Sequence, residues 1–241
     1  MGLSNLLHRA RRKTFARAAT MAGWDNLALR RIQRRRDLER IGNRNGGWTV
    51  PVAELGSSSI CYCVGCGEDI SFDLELIRRF GCAVFAFDPT PRAIDYVRTA
   101  AGDNSQYHFS PVGLWDQDDT LRFFAPKDPM HVSHSLLNLQ KTDTYIRVPV
   151  RRLSHLMRDL GHGRLDLLKL DIEGAEYKVI ETVLEDRLPI RVLCVEFDEY
   201  FNPLDAGATD RVREAIARLI AAGYAMVHCE GNGNYTFVQR G

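Results

Sequence analysis

Beyond residue 46 the chain alternates short apolar, β-branched runs with helical stretches, and this alternation is the strongest constraint on its fold. Ser58 to Val64 reads as a strand ending in Gly65-Cys66-Gly67, Ile70 to Phe80 as an amphipathic helix, and Ala83 to Phe87 as a second strand ending at Asp88. Pro91 suits a first helical position and opens a helix to about Gly102, with a third strand at Gln106 to Ser110. Residues 111–150 break the rhythm with two short strands, Leu121 to Phe124 and Tyr145 to Val150. It resumes with helix Leu153 to Leu160, strand Leu165 to Leu170, helix Ala175 to Asp186 and strand Arg191 to Phe197. Helix Asp210 to Ala222 and strands Tyr224 to Cys229 and Tyr235 to Val238 complete the chain. Such an order implies an α/β fold with a mostly parallel sheet covered on both faces. The Gly231-Asn232-Gly233-Asn234 turn makes the last strand antiparallel.

The 241 residues divide unevenly by charge. Residues 1–44 hold twelve Lys or Arg against Asp25, Asp37 and Glu39, a local charge of +9, which leaves the remainder at −8. Leu3, Leu6, Leu7, Leu29, Ile32, Leu38 and Ile41 fall at helical spacings, and Gly42 to Gly47 is turn-rich. A basic helical arm over 1–46, followed by a globular domain over 47–241, is therefore expected. Its apolar positions need burial, either across a ligand cleft of the domain or against a second subunit in a homodimer. Its arginines suit a membrane surface or an anionic substrate, while the scarcity of aromatics weighs against nucleic acid. No secretory signal is visible and no apolar run approaches about 18 residues, so a cytoplasmic location without a transmembrane helix is expected. Cys61, Cys63 and Cys66 lack the paired spacing of zinc ligands and fall largely within a strand, which makes them buried thiols.

In sheets of this kind ligands bind at the carboxyl ends of the strands, where the strand order reverses. The turn Gly65-Cys66-Gly67 has Ile70 where a dinucleotide site needs a third glycine, and Glu68 and Asp69 repel phosphate. Asp88, 23 positions after Gly65, is placed to accept ribose hydroxyls. A nucleoside without phosphates and with positive charge fits this pattern, and S-adenosylmethionine meets that description.

The runs Val64-Gly65-Cys66-Gly67-Glu68-Asp69-Ile70, Phe85-Ala86-Phe87-Asp88-Pro89-Thr90-Pro91 and, above all, Lys169-Leu170-Asp171-Ile172-Glu173-Gly174-Ala175-Glu176 resemble the FkbM family of S-adenosylmethionine-dependent methyltransferases. The resemblance covers about Ser58 to Val238. It implies a class I methyltransferase (Rossmann-like) sheet of seven strands, and methyl transfer to hydroxyls of sugars, glycans, lipid-linked acceptors or natural products.

On this reading Gly65 and Gly67 admit the cofactor's methionyl part, and Glu68 and Asp69 bind its ammonium or cap the following helix. Asp88 takes the ribose. Gly113, Leu114 and Trp115 meet adenine, with a core role as the alternative for Trp115. Asp171 faces the methyl group, as the resemblance also implies. Glu173 and Glu176, three apart, share a helix face and complement its dipole, and Glu196, on the same strand face as Asp198, points at the substrate. Deprotonation of a hydroxyl calls for a base, with Asp171, Glu196, His228 and His134 as candidates. A divalent metal held by Asp171 and neighbouring carboxylates is the alternative, and the sequence does not choose between them.

Overall fold

A computed structural model describes residues 23, 25, 30–126, 134–136, 138, 141–200, 203–230 and 233–240. Strands β1 (Leu38–Ile41) and β2 (Trp48–Pro51) come first, then β3 (Ile60–Val64), α1 (Ser71–Phe80), β4 (Ala83–Phe87), α2 (Pro91–Ala100) and β5 (Tyr107–Ser110). Three strands follow, β6 (Gly113–Trp115), β7 (Asp119–Phe124) and β8 (Tyr145–Arg152). The chain continues through α3 (Leu153–Asp159), β9 (Leu165–Leu170), α4 (Glu176–Glu185), β10 (Ile190–Glu196), α5 (Ala208–Ala221), β11 (Tyr224–Glu230) and β12 (Asn234–Gln239).

Seven of these strands form one sheet in the order β11-β12-β10-β9-β3-β4-β5. The five from β10 to β5 are parallel, and β12 runs antiparallel to both β10 and β11. This is the seven-stranded α/β sheet that the resemblance implies, antiparallel last strand included. Its central strands are apolar along nearly their whole length because helices cover both faces. Alternation sorts the side chains. Tyr62, Val64, Leu168, Leu170, Leu193 and Val195 join the core with Val179 and Ile216, while Cys61, Cys63, Leu167, Val192 and Cys194 face Phe72 and Leu76. All six cysteines are buried free thiols. Gly81, in the left-handed region at φ +68°, ends α1 by donating its N–H to the Ile77 carbonyl at 2.8 Å.

A separate three-stranded sheet, β6-β8-β7, is built from the segment where the alternation breaks. It packs Phe123, Val148 and Val150 together, with Trp115 against them.

The helical reading of the arm is corrected where the chain is described. Leu38 and Ile41 lie in β1, paired with Pro51 and Trp48. Their spacing of three fits a helix locally, but burial decides otherwise: Ile41 packs into the core beside Trp48 and Phe72, and Leu38 against Ala225, Val227 and Val238. The expected junction near residue 46 falls inside this hairpin. Gly42 has φ +85°, and a Cβ there would lie 2.9 Å from the backbone of Gly47 and of Phe72, so the turn is a packed element. Residues 30–41 run beside the sheet edge, with the Gln33 N–H donating to the Met226 carbonyl at 2.7 Å and Arg40 paired with Glu230. The positions Leu3, Leu6, Leu7 and Leu29 lie outside the described residues. Among the described residues no helix is long and apolar enough to cross a membrane.

Candidate active site

The strand order reverses between β3, whose crossover leads to β4, and β9 on its other side. At their carboxyl ends lies a cleft of about 230 Å³. It is lined by Gly65 to Asp69, Phe87 to Thr90, Gly113, Leu114, Phe123, His134, Lys169 and Asp171 to Glu173, with Gly46 on its outer side.

The floor is a contact between two backbones. Gly65 has φ +83°, and a Cβ on it would sit 1.7 Å from the Asp171 carbonyl oxygen, so no side chain is admitted there. The Gly65 N–H donates to the Phe87 carbonyl at 3.0 Å and the Asp171 N–H to the Val64 carbonyl at 3.2 Å, which ties the ends of β3, β4 and β9 into one unit. The Lys169 ammonium donates to the Gly65 carbonyl at 2.7 Å and lies 3.1 Å from Asp171 Oδ2. Burial alone lowers the pKa of such an ammonium, but Asp171 and Asp73 outweigh it and hold Lys169 above its usual value.

Asp88 is the hub of the glycine turn. Its Oδ2 accepts the N–H groups of Cys66 and Gly67, each at 3.0 Å, and its Oδ1 accepts the Thr90 N–H at 2.9 Å and the Thr90 hydroxyl at 2.6 Å. Both oxygens are thus committed within the protein, and one of the four donors, the Thr90 hydroxyl, can rotate away.

Asp69 takes the capping role. Its Oδ1 accepts the Ser71 N–H at 2.9 Å at the start of α1, and its Oδ2 accepts the Asn43 amide at 2.7 Å. Burial pushes this carboxyl up, but the bonds from Ser71 and Asn43 carry it below the ordinary range. Glu68 at the rim pairs with Arg92 at 2.7 Å. The wall beside them is the β1–β2 turn, where the Asn43 N–H donates to the Ser71 hydroxyl at 3.1 Å and Gly46 faces the cleft.

The carboxyl ends of β9 and β10 gather acids. Glu173 stands in the turn before α4 at φ +55°, and its carbonyl accepts the Ser135 hydroxyl at 2.7 Å. The expected shared helix face with Glu176 is therefore corrected, because α4 starts at Glu176 itself. Fully buried, Glu176 folds back to accept the N–H groups of Ile172 and Gly174 at 3.0 and 3.1 Å. Burial raises Glu176 to about 7, and burial together with the charge of Glu176 raises Asp198 well above its ordinary range. Burial, and then the charge of Asp171, pushes Glu196 up to about 9. Glu196 is thus protonated in neutral solution, which removes it as a resting base.

Gly65, Gly67, Glu68, Asp69, Asp88, Gly113, Leu114, Asp171 and His134 all line the cleft. Three expected residues do not, and the first is Glu196, at the carboxyl end of β10. Trp115 ends β6 and joins the small core of the three-stranded sheet, its alternative role. His228 lies on the edge strand β11, with β12 and β10 between it and β9, and its Nε2 is 3.8 Å from Glu230. Among the described residues no group of three or more His, Cys, Asp or Glu is placed to hold a metal ion. Lys169, Thr90 and Asn43 are the functional contacts that the sequence reading lacked. For Lys169 a signal existed: on a strand it shares a face with Asp171, two positions on.

Residues 62–226 match the family described as the Methyltransferase FkbM domain. The chain belongs to this family. Among curated proteins, it is 31% identical over 129 residues to the human probable methyltransferase-like protein 24, and 29% identical over the same length to the rat protein. That alignment takes in 53% of this chain and 29% of either relative, so the chain spans under a third of the relatives it matches. Similar solved structures include the FkbM methyltransferase of Methylobacillus flagellatus, with a TM-score of 0.47, 15% identity and coverage of 76% of this chain and 44% of that one. The N-methyltransferase NodS of Bradyrhizobium japonicum with S-adenosylhomocysteine gives a TM-score of 0.40 at 11% identity, covering 79% and 82% of the two chains. The FkbM match begins after β1 and β2, so the hairpin wall of the cleft lies outside it.

Proposed function

We propose that this FkbM-family chain binds S-adenosylmethionine in the cleft between β3 and β9 and methylates a hydroxyl of a sugar, glycan, lipid-linked or natural-product acceptor. One observation carries the reading. Among the described residues, the cleft lining sets Glu68, Asp69, Asp88, Asp171 and Glu173 against a single Lys or Arg, Lys169, which is engaged internally. Such a cleft favours a cationic nucleoside and opposes the phosphates of a nicotinamide dinucleotide. Phe87, Leu114 and Ile172 offer apolar contact to a base, and rotation of the Thr90 hydroxyl frees Asp88 Oδ1 for a ribose hydroxyl.

When bound, the cofactor supplies a sulfonium methyl that is already electrophilic. The protein's task is alignment, worth about 7–11 kcal/mol in favourable cases. Asp171, at the end of β9, orients the acceptor hydroxyl, and Asp171 or His134 takes its proton. The reading is tested by incubating the full chain with isotopically labelled S-adenosylmethionine and fractionated cell metabolites. Mass spectrometry is expected to find a product with one added labelled methyl on oxygen. Label on nitrogen or carbon would overturn the hydroxyl assignment, and no labelled product from any fraction would overturn the activity.

A further inference from the structure

We infer that Lys169 is a positioning residue, whose ammonium ties the Gly65 carbonyl to the Asp171 carboxylate and so sets the distance between the glycine turn and the acid at the reacting centre. The inference deepens the reading of the cleft as a methyl-transfer site and rests on it.

The parallel ladder between β3 and β9 ends at the pair Val64 and Leu170. Gly65 and Asp171 are the next residue on each strand, and there the two backbones are still in contact at the floor of the cleft. Past the ladder the Asp171 N–H still reaches the Val64 carbonyl at 3.2 Å. The side-chain link between the Gly65 carbonyl and the Asp171 carboxylate is Lys169, 2.7 Å from the one and 3.1 Å from Oδ2 of the other. Strand geometry makes the link possible, because residues two apart project from the same face.

The Lys169 stem rises from the thiol-lined face of the sheet, its register partners being Cys63 and Cys194. At 6% exposure it is an ammonium taken out of water, which is costly unless every contact is filled. An apolar residue would suit that face better, so its presence calls for a role. Two of its three donor hydrogens are committed to the turn and the acid, which leaves it poorly placed to hold an anionic substrate.

Three variants separate the parts of this role: Lys169→Met removes hydrogen bond and charge, Lys169→Gln keeps a donor, and Lys169→Arg keeps the charge. The probe is S-adenosylhomocysteine binding by calorimetry, together with amide hydrogen exchange of the ligand-free protein. Lys169→Met is expected to weaken binding by about tenfold or more, with Lys169→Arg recovering to within about threefold of wild type. Exchange in Lys169→Met should quicken in residues 64–69 and 171–175 while β4 and β10 stay protected. Wild-type affinity and exchange in Lys169→Met would overturn the inference. So would loosening spread over the whole sheet without recovery in Lys169→Arg, which marks a residue of the core alone. If Lys169→Met does not fold, Lys169→Gln decides by the same two readouts. If wild type binds no S-adenosylhomocysteine, the cofactor reading fails, and the exchange pattern still judges Lys169: local loosening supports the link and unchanged exchange refutes it.

Discussion

On the floor of the cleft, Gly65 and Asp171 meet through their backbones, with 1.7 Å between a would-be Cβ and a carbonyl oxygen. On the outer wall, side chains join the β1–β2 turn to the glycine loop: the Asn43 amide to Asp69, and the Ser71 hydroxyl to the Asn43 N–H. The floor lies inside the FkbM match of residues 62–226 and the wall outside it. A backbone contact tolerates almost no substitution, whereas a side-chain contact can be lost and its place taken by water. The floor therefore defines the site, and the wall adapts it to this chain.

Substitution at the floor should have the largest effect. Gly65→Ala forces a Cβ into the Asp171 carbonyl at a positive φ and is expected to cost about 3–4 kcal/mol of stability. Chemical denaturation measures it, and a loss under about 1 kcal/mol would mean that the two strand ends can separate. Asp88→Ala comes next. It strands the N–H groups of Cys66 and Gly67, and should weaken S-adenosylhomocysteine binding by about 1.5–3 kcal/mol. Unchanged affinity by calorimetry would move the ribose contact elsewhere.

Between floor and wall in expected size is the acid group beside Asp171. Glu196 has a folded pKa of about 9 against an ordinary 4.5, so it contributes no penalty below 4.5 and a growing one as pH rises toward 9. Glu196→Gln should therefore leave stability at pH 4 nearly unchanged and raise it at pH 8 by on the order of 2 kcal/mol, after discounting for water access. A gain equal at both pH values would show that the carboxyl is not the cause. The smallest effect belongs to the wall. Asn43→Ala should reduce S-adenosylhomocysteine affinity by less than about 1 kcal/mol and leave the melting temperature within a few degrees. A loss as large as that of Asp88→Ala would erase the distinction between wall and floor.

The legibility of these two regions in the sequence follows from the same difference. Ala83–Phe87 and Leu165–Leu170 are read with their observed ends, because a strand covered on both faces must be apolar throughout and stops where polar residues meet the cleft. Asp88 and Asp171 follow from those ends. The hairpin could not be read this way. Leu38 and Ile41 are spaced as in a helix, and what makes them a strand is pairing across the hairpin with Trp48 and contact with Phe72 and Val227, far away in the chain. Trp115 and His228 fail for a related reason. An aromatic after a strand or a histidine within one shows its chemistry but not its neighbours, and here those are a second sheet and an edge. Of the fold-back expected for residues 1–46, the Asn43–Gly46 turn reaches the cleft, while residues 30–41 lie along β11.

Titration calorimetry of the full chain with S-adenosylhomocysteine and, separately, with NAD tests the central claim most directly. An acidic cleft whose one lysine is internally engaged should bind S-adenosylhomocysteine with a dissociation constant in the micromolar range, about −8 kcal/mol, and give no heat with NAD. Binding of NAD without binding of S-adenosylhomocysteine would contradict it.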